Sequence, residues 1–179
     1  VYHSIAHGTS VLSCIAGKYK DQLMGCAPNA EFLLARTETR LEPIREEYNW
    51  VAAMEWADKN GADIINSSLG YTFQRYFKNQ MDGKTAIVSR AATLAARKGI
   101  LVVNAAGNEG TSKWHWIGAP ADADSILTVG GVDPASHIHT SFSSFGPTAD
   151  KRLKPNVSAF GHVYAADEKG YKKTQGTSF

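Results

Sequence analysis

Residues 85–108, TAIVSRAATLAARKGILVVNAAGN, decide the architecture of this chain. Thr85 to Lys98 is alanine-rich and reads as a helix, with Gly99 as its stop, because glycine tolerates the backbone conformation that ends a helix. Ile100-Leu101-Val102-Val103-Asn104 follows without interruption, the continuous apolar run expected of a strand in the middle of a parallel sheet. Ala105 to Asn108 then falls at the carboxyl end of that strand, where open α/β sheets gather ligands.

Working outward from this unit, the same rhythm repeats. Asp63-Ile64-Ile65-Asn66 reads as a buried strand leading into Ser67-Ser68-Leu69-Gly70, a second segment at a strand end. Before it, Pro43 to Lys59 reads as a helix with proline near its first turn, ended by Gly61. Trp50, Ala53, Met54 and Ala57 recur in it at three- and four-residue steps, the spacing of a core stripe rather than of a ligand box. Glu31 to Arg36 is expected as a strand and His7 to Ala16 as a helix after a polar entry. Tyr71 to Gly83 is an aromatic and polar loop. Toward the C-terminus, Ser125 to Val132 and Thr140 to Phe145 read as two strands joined by a turn at Asp133-Pro134. A short strand is expected at Asn156 to Ala159, and Gly161 to Gly176 reads as loop. With no internal repeat or low-complexity linker, the pattern predicts one α/β domain over residues 1–179, a central, mostly parallel sheet flanked by helices.

Composition narrows the function classes. The chain has 179 residues, 43% hydrophobic and 20% charged, enough to build one core and unlike a disordered chain. A net charge of +2, with basic residues scattered, implies neither nucleic acid nor an anionic membrane surface as partner. No apolar run is long enough for a membrane span. Cys14 and Cys26 form no CxxC pair; buried free thiols are the simpler reading, with a disulfide left open.

The chemistry-bearing candidates are three. A serine hydroxyl is a poor nucleophile at neutral pH, so acyl transfer needs a base, an acid to orient that base, and donors for the developing oxyanion. Ser178, in Gly176-Thr177-Ser178, is the candidate nucleophile, with Gly176 allowing close backbone approach. His7, in His7-Gly8-Thr9 at the start of its helix, is the candidate base. Asn108 is the candidate oxyanion donor, since its side-chain amide can reach a carbonyl oxygen as the tetrahedral intermediate forms. A Gly-Thr-Ser tripeptide alone is a weak signal; its company gives it weight.

Together, HGT, AAGN and GTS resemble the subtilases, the subtilisin-like serine peptidases of the S8 family, with an aromatic insert in the Bacteroidetes style. Gly25-Cys26-Ala27-Pro28-Asn29-Ala30, Ser67 to Gly70, Pro120, Thr128 to Asp133 and Phe142 to Gly146 extend the likeness over nearly the whole chain. The resemblance implies a three-layer fold and a serine endopeptidase acting through an acyl-enzyme, without a cofactor. It further implies secretion or a cell-envelope location, and a polypeptide substrate lying extended beside Ser68, Leu69 and Gly70. The first pocket would be walled by Ser68 to Gly70 and by Ala105, Ala106 and Gly107, with Gly118 at its floor, roomy enough for a large apolar side chain. Glu109 at its rim would also tolerate lysine or arginine, if it is not simply a solvated turn residue.

Several departures qualify the likeness. Ser10 stands where the family commonly has histidine, and Ala159-Phe160-Gly161 stands where it has Ala-Pro-Gly; Asn156 replaces a frequent acid. The family's acid precedes its histidine on a strand, yet no Asp or Glu precedes His7, and no later Asp lies in an Asp-Thr-Gly or Asp-Ser-Gly setting. The chain is therefore expected to be the central part of a peptidase domain, lacking that strand and the helix after Ser178, and nearly inert alone. A pro-segment or complementing fragment is an expected partner. The rival expectation is a pseudoprotease that binds peptides. Metal sites are not expected: Lys18-Tyr19-Lys20-Asp21-Gln22 is poor in oxygen ligands, and His137 and His139 lack a third ligand nearby. His115, between two tryptophans, is expected in a loop at the pocket's edge.

Overall fold

The helix-to-strand unit forms as its sequence dictates. α1 (Ala6–Ala16) opens the described chain; α2 (Arg45–Lys59) and α3 (Ile87–Arg97) are its other α-helices, and α3 feeds the strand Leu101–Ala105. The computed structural model describes residues 6–20, 22–23, 25–39, 44–167 and 170–179. Pro43, expected at the start of α2, and Asp21 lie outside the described residues. Short strands β1 (Lys18–Tyr19) and β2 (Gln22–Leu23) pair antiparallel after α1.

Four strands make the central sheet: β3 (Ile64–Ser67), β4 (Leu101–Ala105), β5 (Leu127–Val132) and β6 (Val157–Phe160), adjacent in that order and all parallel. Ser67 pairs with Asn104 and Ala105 with Val129, so the carboxyl ends of β3 and β4 lie side by side. Against one face pack α2 and α3, burying Trp50, Met54, Val88, Ala92, Ala95, Val102 and Ile126 in one cluster. Each large apolar side chain buried there contributes ~1.5–3 kcal/mol. Trp50 adds direction as well as area, because its indole Nε1 donates to Ser67 Oγ at 3.0 Å and ties α2 to the end of β3.

Five expectations need correction. Residues 31–36 do not form a strand: no ladder partner lies beside them among the described residues, and Leu34 stays 70% exposed. An apolar run becomes a strand only where a neighbour takes up its main-chain groups. Residues 140–145 fold as turns: β5 already has β4 and β6 as its neighbours, and the segment is tied to Gly131 by single bonds, among them Thr140 N–H donating to Gly131 O at 3.0 Å. Thr140 Oγ1 donates to Gly131 O at 3.1 Å and Gly131 N donates to Ser143 Oγ at 3.0 Å, an alternative to a strand ladder. Gly161 to Gly176 is no loop, for β7 (His162–Asp167) and β8 (Gly170–Gln175) pair as an antiparallel hairpin. Among the described residues β3 has β4 as its one neighbour and Ile64 and Asn66 are exposed, so Asn66 does not end a buried strand. The two cysteines are free thiols, and Cys26 is exposed rather than buried. Among the described residues no helix is long and apolar enough to cross a membrane.

Candidate active site

Three segments converge at the carboxyl ends of the parallel strands. β3 runs into Ser68, Leu69 and Gly70; β4 runs into Ala106, Gly107, Asn108 and Glu109; β8 delivers Gly176, Thr177 and Ser178 between them. They enclose a cleft of about 160 Å³ whose lining also includes Ala105, Gly118, Thr72 and Ala121. Gly118 belongs there because nothing larger fits: a Cβ would lie 2.7 Å from Tyr71 O and 2.8 Å from Thr72 Cγ2.

Thr177 organises the centre of the site. Its backbone N–H donates to Asn108 Oδ1 at 2.9 Å and its hydroxyl donates to the same oxygen at 3.1 Å, while Gly107 N donates to Thr177 Oγ1 at 3.1 Å. Gly176 makes this approach possible, with φ +148 and with Asn108 Nδ2 3.5 Å from where a Cβ would stand. Asn108 Oδ1 is thus occupied, and its Nδ2 is the end left to donate into the cleft. Sequence reasoning singled out the residues on either side of Thr177 and passed over it; a hydroxyl next to a candidate nucleophile was the available signal.

Ser178 is half-buried beside Ser68. Ser68 Oγ donates to Ser178 O at 2.8 Å, and Ser178 Oγ lies 3.4 Å from Ser68 O, a long hydrogen bond. That oxygen is its partner among the described residues; no hydrogen bond joins Ser178 to His7. His7 stands on the first turn of α1 with its ring edge-on to Phe179, centroids 6.1 Å apart. Loss of solvent around the ring holds the His7 imidazole below its ordinary value of 6.5, although part of the residue remains open to water. The structure therefore brings His7 beside Phe179, the residue that follows Ser178.

The loop after Gly70 is anchored by a buried charged cluster. Glu46 and Glu47 in the first turn of α2 are 0% and 1% exposed. Arg75 reaches both, at 3.4 and 3.3 Å, and lies 4.2 Å over the Tyr71 ring, while Tyr76 OH donates to Glu47 at 2.5 Å. Burial, reinforced by the hydrogen bond to Glu47, pushes the Tyr76 phenol well above its ordinary range, so it stays a donor.

Other candidates fall away from the cleft. His115 stacks on Phe145 with centroids 4.3 Å apart and contacts Gly110 O through Nδ1 at 2.6 Å, a structural role outside the cleft lining. His137 and His139 are exposed and lie against different rings, His137 stacked on Phe160 and His139 tilted against Phe145. Glu109 does line the cleft, half-buried, its N–H donating to Ser144 Oγ at 3.0 Å.

The Subtilase family model matches residues 2–179. Among similar curated proteins, subtilisin DY of Bacillus licheniformis is 35% identical over 174 residues, covering 96% of this chain and 58% of the relative. Subtilisin E of Bacillus subtilis (strain 168) is 34% identical over 157 residues, 86% of this chain and 37% of the relative. The solved self-cleaved protease domain of PatA superposes with a TM-score of 0.75 at 28% identity, covering 97% of this chain and 61% of that one. The chain thus spans less than two thirds of the length of these relatives.

Proposed function

This chain belongs to the subtilase family, and from that premise we propose that it carries the cleft, base and nucleophile of a serine endopeptidase that cleaves polypeptides through an acyl-enzyme. Ser178 Oγ attacks the scissile carbonyl; His7 accepts the hydroxyl proton and returns it to the leaving amine; water then hydrolyses the ester. Asn108 Nδ2 donates to the oxyanion. The observation that carries the reading is the lock of Asn108 Oδ1 by the Thr177 N–H and hydroxyl, which leaves the amide's other end, the Nδ2 donor, unoccupied by that contact beside the loop that carries Ser178. An oriented donor is worth most where charge develops and costs no reorganisation at that moment.

Substrate lies extended along Ser68, Leu69 and Gly70, held by main-chain hydrogen bonds, with one side chain in the cleft of about 160 Å³ over Gly118. Such a mode suits exposed loops and unfolded segments of proteins. The matched residues form the central part of a single catalytic domain, in a secreted or cell-envelope enzyme.

A peptide-binding scaffold is the second reading, favoured by one observation: Ser178 Oγ bonds to Ser68 O rather than to His7. Labelling the full-length protein with a fluorophosphonate probe, with Ser178→Ala as control, separates the two. The enzyme labels and hydrolyses an unfolded protein substrate, and the Ala variant does neither. Labelling that persists in Ser178→Ala removes Ser178 from the mechanism. A protein that binds peptide yet neither labels nor hydrolyses is the scaffold.

A further inference from the structure

Hydroxyl groups, more than an apolar face, hold α1 to the rest of the chain. Its buried residues are Ser10, Val11 and Ser13, two of the three polar. Both serines reach one residue of the hairpin. Ser10 Oγ donates to Ala166 O at 2.6 Å, and Ala166 N donates to Ser13 Oγ at 2.8 Å. Ser13 Oγ in turn donates to Ser10 O at 2.7 Å, so neither hydroxyl is left without a proton acceptor.

Register explains why Ala166 is available. Gly176 N donates to Gly161 O at 2.9 Å, so counting along the antiparallel pairs from there, every second pair exchanges main-chain bonds. Val163, Ala165 and Asp167 face β8; His162, Tyr164 and Ala166 turn their N–H and C=O groups outward. Cys14 Sγ lies 4.0 Å from Tyr164 O, the next outward carbonyl along the strand. α1 occupies the free edge of β7 as a third strand would, with serine side chains supplying the partners that a strand would supply from its backbone.

The joint links the two reacting groups. His7 precedes Ser10 by three residues and shares its helix face. β8, paired to β7 along its length, runs directly into Gly176, Thr177 and Ser178. A slide or roll of α1 along the hairpin would therefore displace the imidazole relative to the nucleophile by the same amount. We propose that Ser10 and Ser13 are positioning residues that clamp α1 to Ala166 and so set the place of His7 relative to Ser178; this rests on the endopeptidase reading above. The cleft itself is lined by segments after β3, β4 and β8 and by Thr72, Gly118 and Ala121, none of them on α1. The clamp should consequently act on turnover and leave substrate binding alone.

The test uses the full-length protein and a peptide substrate. Ser10→Ala and Ser13→Ala each lower kcat, and the rate of fluorophosphonate labelling in parallel, by ~10- to 100-fold, the range that a misplacement of about 1 Å produces. KM stays near the wild-type value, and Ser10→Thr, which keeps the hydroxyl, recovers most of the lost kcat. Wild-type kcat and labelling in the folded Ser10→Ala/Ser13→Ala variant overturn the clamp, and so does a loss of rate that comes with an equal rise in KM. Should the double variant fail to fold, Ser10→Cys and Ser13→Cys carry the same comparison with volume preserved. His7→Ala and Ser178→Ala are run alongside: if either labels like wild type, the endopeptidase reading fails, whereas if both are dead and the serine variants are fully active, only the clamp fails.

Discussion

Thr177 holds Asn108 by its oxygen: the Thr177 N–H and hydroxyl approach Asn108 Oδ1 at 2.9 and 3.1 Å. An amide has two ends of similar shape and opposite polarity, and occupying one end decides what the other presents. Asn108→Asp keeps the shape and removes the donor. Its expected cost in the full-length enzyme is a fall in kcat of ~10²- to 10³-fold with KM little changed, a range that derives from subtilisin's own oxyanion donor. Thr177→Val removes the hydroxyl but keeps the N–H bond, so its loss should be smaller, about tenfold, on the order of one neutral hydrogen bond. Steady-state kinetics of both variants on one peptide substrate check the order; Thr177→Val falling as far as Asn108→Asp would show that the lock does more than orient.

On the endopeptidase reading, His7 implies a definite pH behaviour. Its imidazole is held below 6.5 by loss of solvent, so more of it is available as a base at neutral pH than of an ordinary imidazole. The acid limb of kcat/KM is expected below the ordinary imidazole value. The sign for stability is the same: between the folded and unfolded pKa values the unfolded chain binds more protons, so stability falls as pH drops from about 6.5 through the folded value. Measuring kcat/KM across pH 5 to 8 tests the first statement; an inflection above 6.5 contradicts it.

How far the sequence could be read depended on which force shapes each element. Thr85 to Asn104 was legible because helix and strand there are set by local composition and burial, the same forces that fix β5. Residues 31–36 misled for the opposite reason: the run looks like a strand, but a ladder is a property of two segments and no described neighbour takes it up. The hairpin of β7 and β8 was missed because its register is carried by main-chain pairing and by contact with α1. Its side chains give little pattern, with Lys172 and Lys173 exposed and Ala165 the one that is buried. In the site, Ser178, His7 and Asn108 stood out by residue type, whereas Thr177, Ser10 and Ser13 act through hydrogen bonds to residues far away in sequence. No spacing rule reveals those.

Gly118 lines the cleft against Tyr71 and Thr72. In Gly118→Ala the added methyl would meet Tyr71 O at 2.7 Å, a backbone atom that cannot rotate away, so the wall must shift. The strain expected is ~1–3 kcal/mol, appearing as a lower Tm. On a peptide series that varies the residue at the cleavage position, KM should rise most for large apolar side chains and least for alanine. A uniform rise across the series would place the side chain elsewhere than over Gly118.

Lys154 is a buried cation with neutral partners. It is 5% exposed, and its Nζ donates to Ile126 O and to Asn156 Oδ1, both at 2.9 Å. Desolvation, with a smaller contribution from Arg152, pushes the ammonium down to about 8 from its ordinary 10.5. A neutral amine still has two N–H donors, one for each acceptor, so deprotonation sacrifices neither bond. Below pH 8 both folded and unfolded chains carry the proton, and the fold bears the full cost of burying it. Between about 8 and 10.5 the unfolded chain binds more proton than the folded one, so this residue's contribution to stability rises with pH across that window. Chemical denaturation of wild type and Lys154→Met at a series of pH values isolates the effect, because other titrations are common to both. The stability of wild type relative to Lys154→Met should climb from pH 8 to 10.5 by as much as about 3 kcal/mol. A difference that stays flat, or falls, would mean that the ammonium keeps its proton in the fold and is held by stronger partners than these two.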